Sequence, residues 1–391
     1  MKKLRIMWLH SHLSLPSGGT KYVLEGIREL SKNHIVDLYV QKTTPQFEQL
    51  FKKAGINITA MSKYSTGDIL FWFHFSKQLK NELKFLKNQA KSYDVVVSSM
   101  FPMNVEANAL GLPHLQSCFQ PYAFFWDSLM INKLPFVQRL LLKFAKIKFG
   151  KLDIEATKKS DKVVTVIAGV QKWISKVYHR DSIVVHPGVD TSFFKPTLDL
   201  NLQNKYTGKK IILHSTDWTP LKRTNWLIDE FVSINSKINN VVLLIMEVKN
   251  VGVEREKVIK KINDKKIKNI ELCGSVPENL LPAYYSLADV CVYVGIGEGA
   301  AAASYIVLES MACETPVIRT NYSLEEVEHG KTGYLFEKDD RESFEKYVIE
   351  FLTNPKLKLE FGKAGRNFIQ ENRSWKKFAE LYEKNLFEII G

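Results

Sequence analysis

Cysteine is scarce in these 391 residues: Cys118, Cys273, Cys291 and Cys313 are scattered and never form Cys-x-x-Cys. That spacing suits neither a disulfide framework nor a zinc site, and a reducing, cytosolic compartment is expected. Long apolar runs are also missing. No stretch of about 18 uncharged apolar residues occurs, so no membrane-spanning helix is expected. The apolar run near the first residue stops at His10, too short for a signal-peptide core, and reads as a buried strand. There is no Gly-x-Gly-x-x-Gly followed by an acidic ribose reader, which argues against a nicotinamide cofactor. There is no Asp-x-Asp pair to hold a metal, so no metal is expected.

What is present is a chain long enough for two domains, with 45% apolar residues to fill their cores. The charge is uneven. Residues 1–190 carry 27 Lys/Arg against 14 Asp/Glu, which is the whole +13 excess, while residues 191–391 carry 28 of each. The first half should therefore face something anionic, such as a membrane surface, a phosphorylated acceptor or nucleic acid. No recognition motif supports nucleic acid, and none is expected as a partner.

Strand-like and helix-like segments alternate. Residues 4–9 read as a strand, 14–19 as a loop, and 21–32 as a helix with Val23, Leu24, Ile27 and Leu30 on helical spacing. Residues 36–40 and 94–97 read as further strands. The second half repeats the style, with strands at 210–214, 241–246, 270–273, 290–294 and 316–318 and a helix at 224–234. Such alternation argues for parallel sheets with crossover helices. Turn residues at His186-Pro187-Gly188-Val189-Asp190 separate the halves. The expected domains are 1–190, 191–372, and a last helix at 373–391 that returns to the first domain. Ligands of two such domains bind at the carboxyl ends of the strands.

The segment 185–194, with Pro187-Gly188-Val189-Asp190 at its centre, resembles the retaining GT-B glycosyltransferases of family 4, which include sucrose synthases and bacterial mannosyltransferases. Ser17-Gly18-Gly19, Asn33-His34-Ile35-Val36, Gly330-Lys331-Thr332-Gly333-Tyr334-Leu335-Phe336 and Asn372-Arg373-Ser374-Trp375 resemble further motifs of that family, in the same order and over nearly the whole chain. The resemblance implies a GT-B fold, two Rossmann-like doubly wound α/β domains facing a central cleft. It also implies transfer of a sugar, with retention of configuration, from a nucleotide-sugar donor to a glycan or lipid-linked acceptor. GDP-mannose is the first expected donor and a UDP-sugar the second. A catalytically impaired nucleotide- or glycan-binding protein on the same fold is the alternative.

The same resemblance places the site. Pro220-Leu221-Lys222 is similar to the family's phosphate-binding element, and a lysine at a strand end can clamp a diphosphate as its charge develops. The family's arginine position holds Asp217, with Arg223 the nearest cation to compensate. Glu309 matches the second Glu of the family's Glu-x7-Glu motif, which holds the donor ribose; a carboxylate accepts two hydrogen bonds from a diol. Ser304, Tyr305 and Ile306, beside it in the same run, belong with it in the donor site. The first Glu position is Ala301, and Glu298 is the nearby carboxylate expected to face the sugar. Gly18 and Gly19, before a helix, are expected to approach the donor, because a helix N-terminus favours phosphate.

On the acceptor side, Cys118-Phe119-Gln120-Pro121 and Trp126-Asp127 resemble mannosyltransferase-like segments, although Phe119 stands where that family has His. His10, His12 and His114 read as structural. Residues 128–152 hold Lys133, Arg139, Lys143, Lys146, Lys148 and Lys151 with no acidic residue. Phe136, Leu140, Phe144 and Ile147 fall on one helical face, with Arg139, Lys143 and Lys146 along its border. This segment is expected to meet an anionic membrane surface from the cytoplasmic side as a peripheral contact. The basic, aromatic stretch 63–91, with Phe71, Trp72, Phe73, His74 and Phe75, is a second candidate contact.

Overall fold

The computed structural model describes residues 2–13, 17–66, 68–132, 134–248, 252–296, 304–321 and 325–391. The chain divides into two compact units, one of residues 1–187 with 375–391 and the other of residues 188–374. Gly188, Val189 and Asp190, expected with the first domain, thus belong to the second unit, as do Arg373 and Ser374. The reason is local. Val189 packs in the second unit's core, and its N–H donates to the Arg373 carbonyl at 2.7 Å.

In the first unit the described residues form seven parallel strands: β1 (Arg5–Leu13), β2 (Ile35–Thr43), β3 (Ile58–Ala60), β4 (Val95–Ser98), β5 (His114–Ser117), β6 (Lys162–Thr165) and β7 (Ile183–Val184). Their order is β3-β2-β1-β4-β5-β6-β7. β1 lies at the centre, and Ile6, Met7, Trp8 and Leu9 are fully buried, as a strand covered by helices on both faces requires. β1 and β2 each run a few residues beyond the apolar run that reveals them.

The helix Trp375–Ile390 completes this unit. Its Tyr382 stacks on Trp8 at 5.6 Å between ring centres, and its Phe378 meets Tyr22 edge-on at 5.2 Å. Gly26 permits that approach, since a Cβ there would lie 3.1 Å from the Phe378 ring. The helix Ile69–Ala90 corrects the expectation for 63–91. Phe71, Trp72 and Phe75 are buried in an aromatic cluster with Phe101, Tyr122, Phe125 and Phe149, so these rings serve the core and leave Phe73 outside.

In the second unit the described residues form six parallel strands: β8 (Lys210–Thr216), β9 (Val241–Glu247), β10 (Ile270–Gly274), β11 (Val290–Tyr293), β12 (Val317–Thr320) and β13 (Gly333–Phe336). Their order is β10-β9-β8-β11-β12-β13, the same winding about a central first strand. All seven residues of β9 are buried. Arg366, from the helix Pro355–Asn372, ties the entry of this unit to its core by donating to the carbonyls of Thr191 and Phe194, at 3.3 Å and 3.2 Å, and to that of Ala312.

Candidate active site

The carboxyl ends of β8 and β11 bring the donor-side residues together. After β8, Asp217 Oδ1 accepts the Thr219 N–H at 2.9 Å and its hydroxyl at 2.6 Å. This closes the turn that leads into the short 3-10 helix Pro220–Lys222 and explains what an aspartate does at this position. Ile296, just after β11, donates its N–H to the Leu221 carbonyl at 2.9 Å. The two strand ends are thereby fastened to each other, and Lys222 Nζ comes 3.2 Å from the Tyr293 hydroxyl.

Burial pulls the Lys222 ammonium down in pKa, but Tyr293 and Asp217 pull it up, and the net shift is upward. Lys222 is therefore charged at neutral pH, as a clamp on phosphate requires. Beneath it, the His214 imidazole makes contacts of 3.2 Å with the Val292 carbonyl and 3.1 Å with the Thr224 hydroxyl. Burial lowers that imidazole to about 4, so it stays neutral.

Arg223 follows Lys222 in the same turn. Its backbone takes the left-handed φ of 52°, its guanidinium forms an ion pair with Asp339, and it lies 4.6 Å from the centre of the Trp226 ring. These contacts engage one side of the guanidinium, while its Nη1 is buried without a hydrogen-bond partner among the described residues.

Glu309 lies on the helix Tyr305–Ala312, with Ser304 at its N-cap. It is buried, and its Oε2 accepts the Tyr285 hydroxyl at 2.7 Å. The Ser304 N–H donates to Glu326 Oε1 at 3.2 Å, which fixes the start of the helix, where Tyr305 and Ile306 form the first turn. Glu298 and Ala301 lie outside the described residues, as does Lys133.

In the first unit, Gly18 and Gly19 are not part of a loop. They form the first turn of the helix Gly18–Leu30, because Ser17 caps it by accepting the Thr20 N–H at 3.1 Å. The structure brings Gly19 to Phe119: a Cβ on Gly19 would lie 4.0 Å from that ring. Phe119 in turn meets Tyr22 edge-on at 4.7 Å and His10 at 6.1 Å. Burial, then His12, lowers His10 to about 3, so its imidazole is neutral. His114 is enclosed by Ser98 at 2.7 Å and Asn108 at 2.9 Å, a structural role.

Trp126 is turned inward. Its Nε1 donates to Asp153 Oδ2 at 2.7 Å, and Lys146 Nζ lies 4.3 Å from the centre of its ring. The helix Phe136–Lys159 has two faces. Leu142, Ala145 and Phe149 enter the aromatic core. Phe136, Val137, Phe144 and Ile147 are 70%, 74%, 63% and 72% exposed, beside Arg139, Lys143 and Lys146. A cavity of about 470 Å³ is lined by Phe124, Ile131, Phe136, Leu140, Arg139 and Lys143, among others.

Among the described residues no three His, Cys, Asp or Glu side chains converge as a metal site, and no helix is long and apolar enough to cross a membrane. Tyr293, Arg319 and Glu326, which surround Lys222 and Ser304, have no signal in the sequence. A tyrosine, an arginine and a glutamate far apart in the chain read as unrelated until the strands are paired.

Two doubly wound parallel units of this strand order have the GT-B fold. Residues 199–368 match the family "Glycosyl transferases group 1". A glycosyltransferase of Methanocaldococcus jannaschii is 24% identical over 99% of both chains. A GDP-mannose-dependent alpha-(1-6)-phosphatidylinositol monomannoside mannosyltransferase of Mycolicibacterium smegmatis is 26% identical over 50% of this chain and 54% of its own length. Anabaena HepE, solved in complex with UDP-glucose, shares the fold with a TM-score of 0.77 at 13% identity, over 98% of this chain and 100% of that one. These likenesses, over residues 199–368 for the family and over nearly the whole chain for the M. jannaschii protein, mark a glycosyltransferase enzyme that uses a nucleotide-sugar donor.

Proposed function

We propose that this enzyme moves a hexose, with retention of anomeric configuration, from a nucleoside diphosphate sugar to a glycan or lipid-linked acceptor. The observation that carries this reading is the charged Lys222, held by Tyr293 at the carboxyl ends of β8 and β11. An ammonium there suits the diphosphate that departs, and Glu309 suits the ribose. Behind the Ser304 cap, whose own N–H is taken by Glu326, Tyr305 and Ile306 form the first turn of a helix, and a helix N-terminus favours phosphate oxygens; Gly18 and Gly19 open a second such helix. Glu298 is the carboxylate assigned to the sugar. GDP-mannose is the first donor proposed, in keeping with the name of the M. smegmatis relative, and a UDP-sugar the second, in keeping with the HepE complex. Lys222 and the helix N-termini take the place of a metal in this scheme, so EDTA should leave turnover unchanged.

The acceptor is proposed to be met at the inner face of a membrane. The exposed Phe136, Val137, Phe144 and Ile147 would enter the interface shallowly while Arg139, Lys143 and Lys146 meet anionic headgroups. Phe119 and Trp126 are assigned to the acceptor side of the first unit, Phe119 by contact and Trp126 by supporting Lys146.

The test is turnover with a panel of GDP- and UDP-sugars, followed by Glu298→Gln and Ala301→Glu. A collapse of turnover in Glu298→Gln, with nucleotide binding intact, supports Glu298 as the replacement carboxylate. A gain in Ala301→Glu would instead mean that the family carboxylate is missing. No effect of either change would refute both accounts.

A further inference from the structure

Arg319 and Glu326 are charged, yet only 0% and 1% exposed, and the donor reading makes no use of them. In the parallel register Arg319 of β12 stands opposite Tyr293 of β11. Its guanidinium carbon lies 5.5 Å from the centre of the Tyr293 ring, and Lys222 Nζ lies 5.0 Å from the same centre. Two cations therefore share one ring. Gly295 leaves room for it, since a Cβ there would come 3.0 Å from the ring.

Arg319 forms an ion pair with Glu326 Oε2. The other carboxylate oxygen of Glu326 accepts the Ser304 N–H at 3.2 Å, at the start of the Glu309 helix. Arg319 Nε donates to the Thr320 carbonyl at 3.3 Å, and the Thr320 hydroxyl donates to the Gly295 carbonyl at 2.5 Å. One buried network thus runs from Lys222 through Tyr293, Arg319 and Glu326 to Ser304.

A pair buried this deeply gives little net stability. Removing both charges from water costs several kcal/mol per ion, and their attraction does little more than offset it. Apolar side chains of similar volume often replace such a pair without loss of stability. What they could not do is hold Tyr293 beneath Lys222 and accept the Ser304 amide at once.

We infer that the Arg319–Glu326 pair is a positioning device that keeps Lys222 and the head of the Glu309 helix in one register, so that the phosphates and ribose of a nucleoside diphosphate are gripped together. The inference rests on the donor-site reading of Lys222 and Glu309. Arg319 and Glu326 act through Tyr293 and Ser304.

The test uses the full chain, with calorimetry of UDP, GDP, uridine and guanosine, and thermal melting in parallel. In the double variant Arg319→Met with Glu326→Leu, melting should stay close to wild type. Binding of the preferred diphosphate should weaken about tenfold, which is about 1.4 kcal/mol, and its advantage over the bare nucleoside should shrink. A double variant that melts like wild type and binds the diphosphate as tightly overturns the inference. Should that variant fail to fold, Tyr293→Phe decides, because it removes only the hydroxyl at Lys222. Diphosphate binding about three- to tenfold weaker, with nucleoside binding unchanged, supports the inference; unchanged binding of both overturns it. Lys222→Ala separates the two levels. If Lys222→Ala binds the diphosphate like wild type, or wild type binds neither UDP nor GDP, the donor-site reading itself falls and takes the inference with it. If Lys222→Ala weakens binding and the other variants do not, only the inference falls.

Discussion

Trp126 donates its indole N–H to Asp153 at 2.7 Å, and that one carboxylate also receives the Tyr178 hydroxyl at 2.9 Å and the Asn104 amide at 3.3 Å. Burial raises Asp153 to about 6 from its ordinary 3.8, against the pull of these three donors. Since the folded state holds this proton more tightly than the unfolded chain, stability should fall as pH rises from about 4 to about 6 and then level off. Asp153→Asn should remove that slope. Asp153→Ala should cost about 1–3 kcal/mol by stranding buried donors. Urea midpoints at pH 4, 5, 6 and 7 measure both, and an unchanged slope in Asp153→Asn would count against this account.

Glu106 gives a second pH effect of the same sign. It is fully buried, neither carboxyl oxygen receives a hydrogen bond from a donor group, and burial together with neighbouring Glu82 raises it well above the carboxylate range. The folded protein holds this proton more tightly than the unfolded chain, so Glu106 costs stability increasingly as pH rises above its unfolded value. Glutamine imitates the protonated acid. Glu106→Gln should therefore be more stable than wild type at pH 8, by about 1–3 kcal/mol, with the gain shrinking towards pH 5. A variant whose stability relative to wild type does not change between pH 5 and pH 8 would count against this account.

On the donor side, Glu309→Ala should weaken binding of a nucleoside diphosphate by roughly 1–3 kcal/mol, as expected for loss of hydrogen bonds to a charged acceptor. Tyr285→Phe removes the hydroxyl that Glu309 accepts and should have a smaller effect in the same direction. Calorimetry that shows unchanged affinity in Glu309→Ala would remove Glu309 from the site.

Membrane contact predicts flotation with anionic but not neutral vesicles, weakened by salt because surface charge is screened beyond about 8 Å at physiological ionic strength. Changing Arg139, Lys143 and Lys146 together to Glu should abolish flotation. Equal flotation of variant and wild type would exclude this segment, and no flotation of wild type would favour a soluble acceptor.

The long apolar strands β1, β2, β8 and β9 were legible because parallel strands buried on both faces read as continuous apolar runs. β5 and β6 were not, since His114, Gln116, Lys162 and Thr165 break the run, and the burial of His114 depends on Asn108 and Ser98, which only the fold brings to it; β7 is only two residues long. Gly18 and Gly19 read as a loop because glycine is a poor helix former; the Ser17 cap decides otherwise. Lys222 and Glu309 could be found because they sit in contiguous motifs. Arg319 could not, since one arginine in a short strand looks like an exposed charge until Glu326 and Tyr293 are seen around it.

The helix Trp375–Ile390 gives the first unit an unusual history during synthesis. Most of this unit is made before the second, yet Trp8 and Tyr22 wait for Tyr382 and Phe378, which are made more than 350 residues later. The second unit, by contrast, is one continuous stretch, 188–374. It can therefore close its own core while the older unit is still incomplete, and chains cut short near residue 374 would leave the Trp8 and Tyr22 rings bare for chaperones or proteases to find.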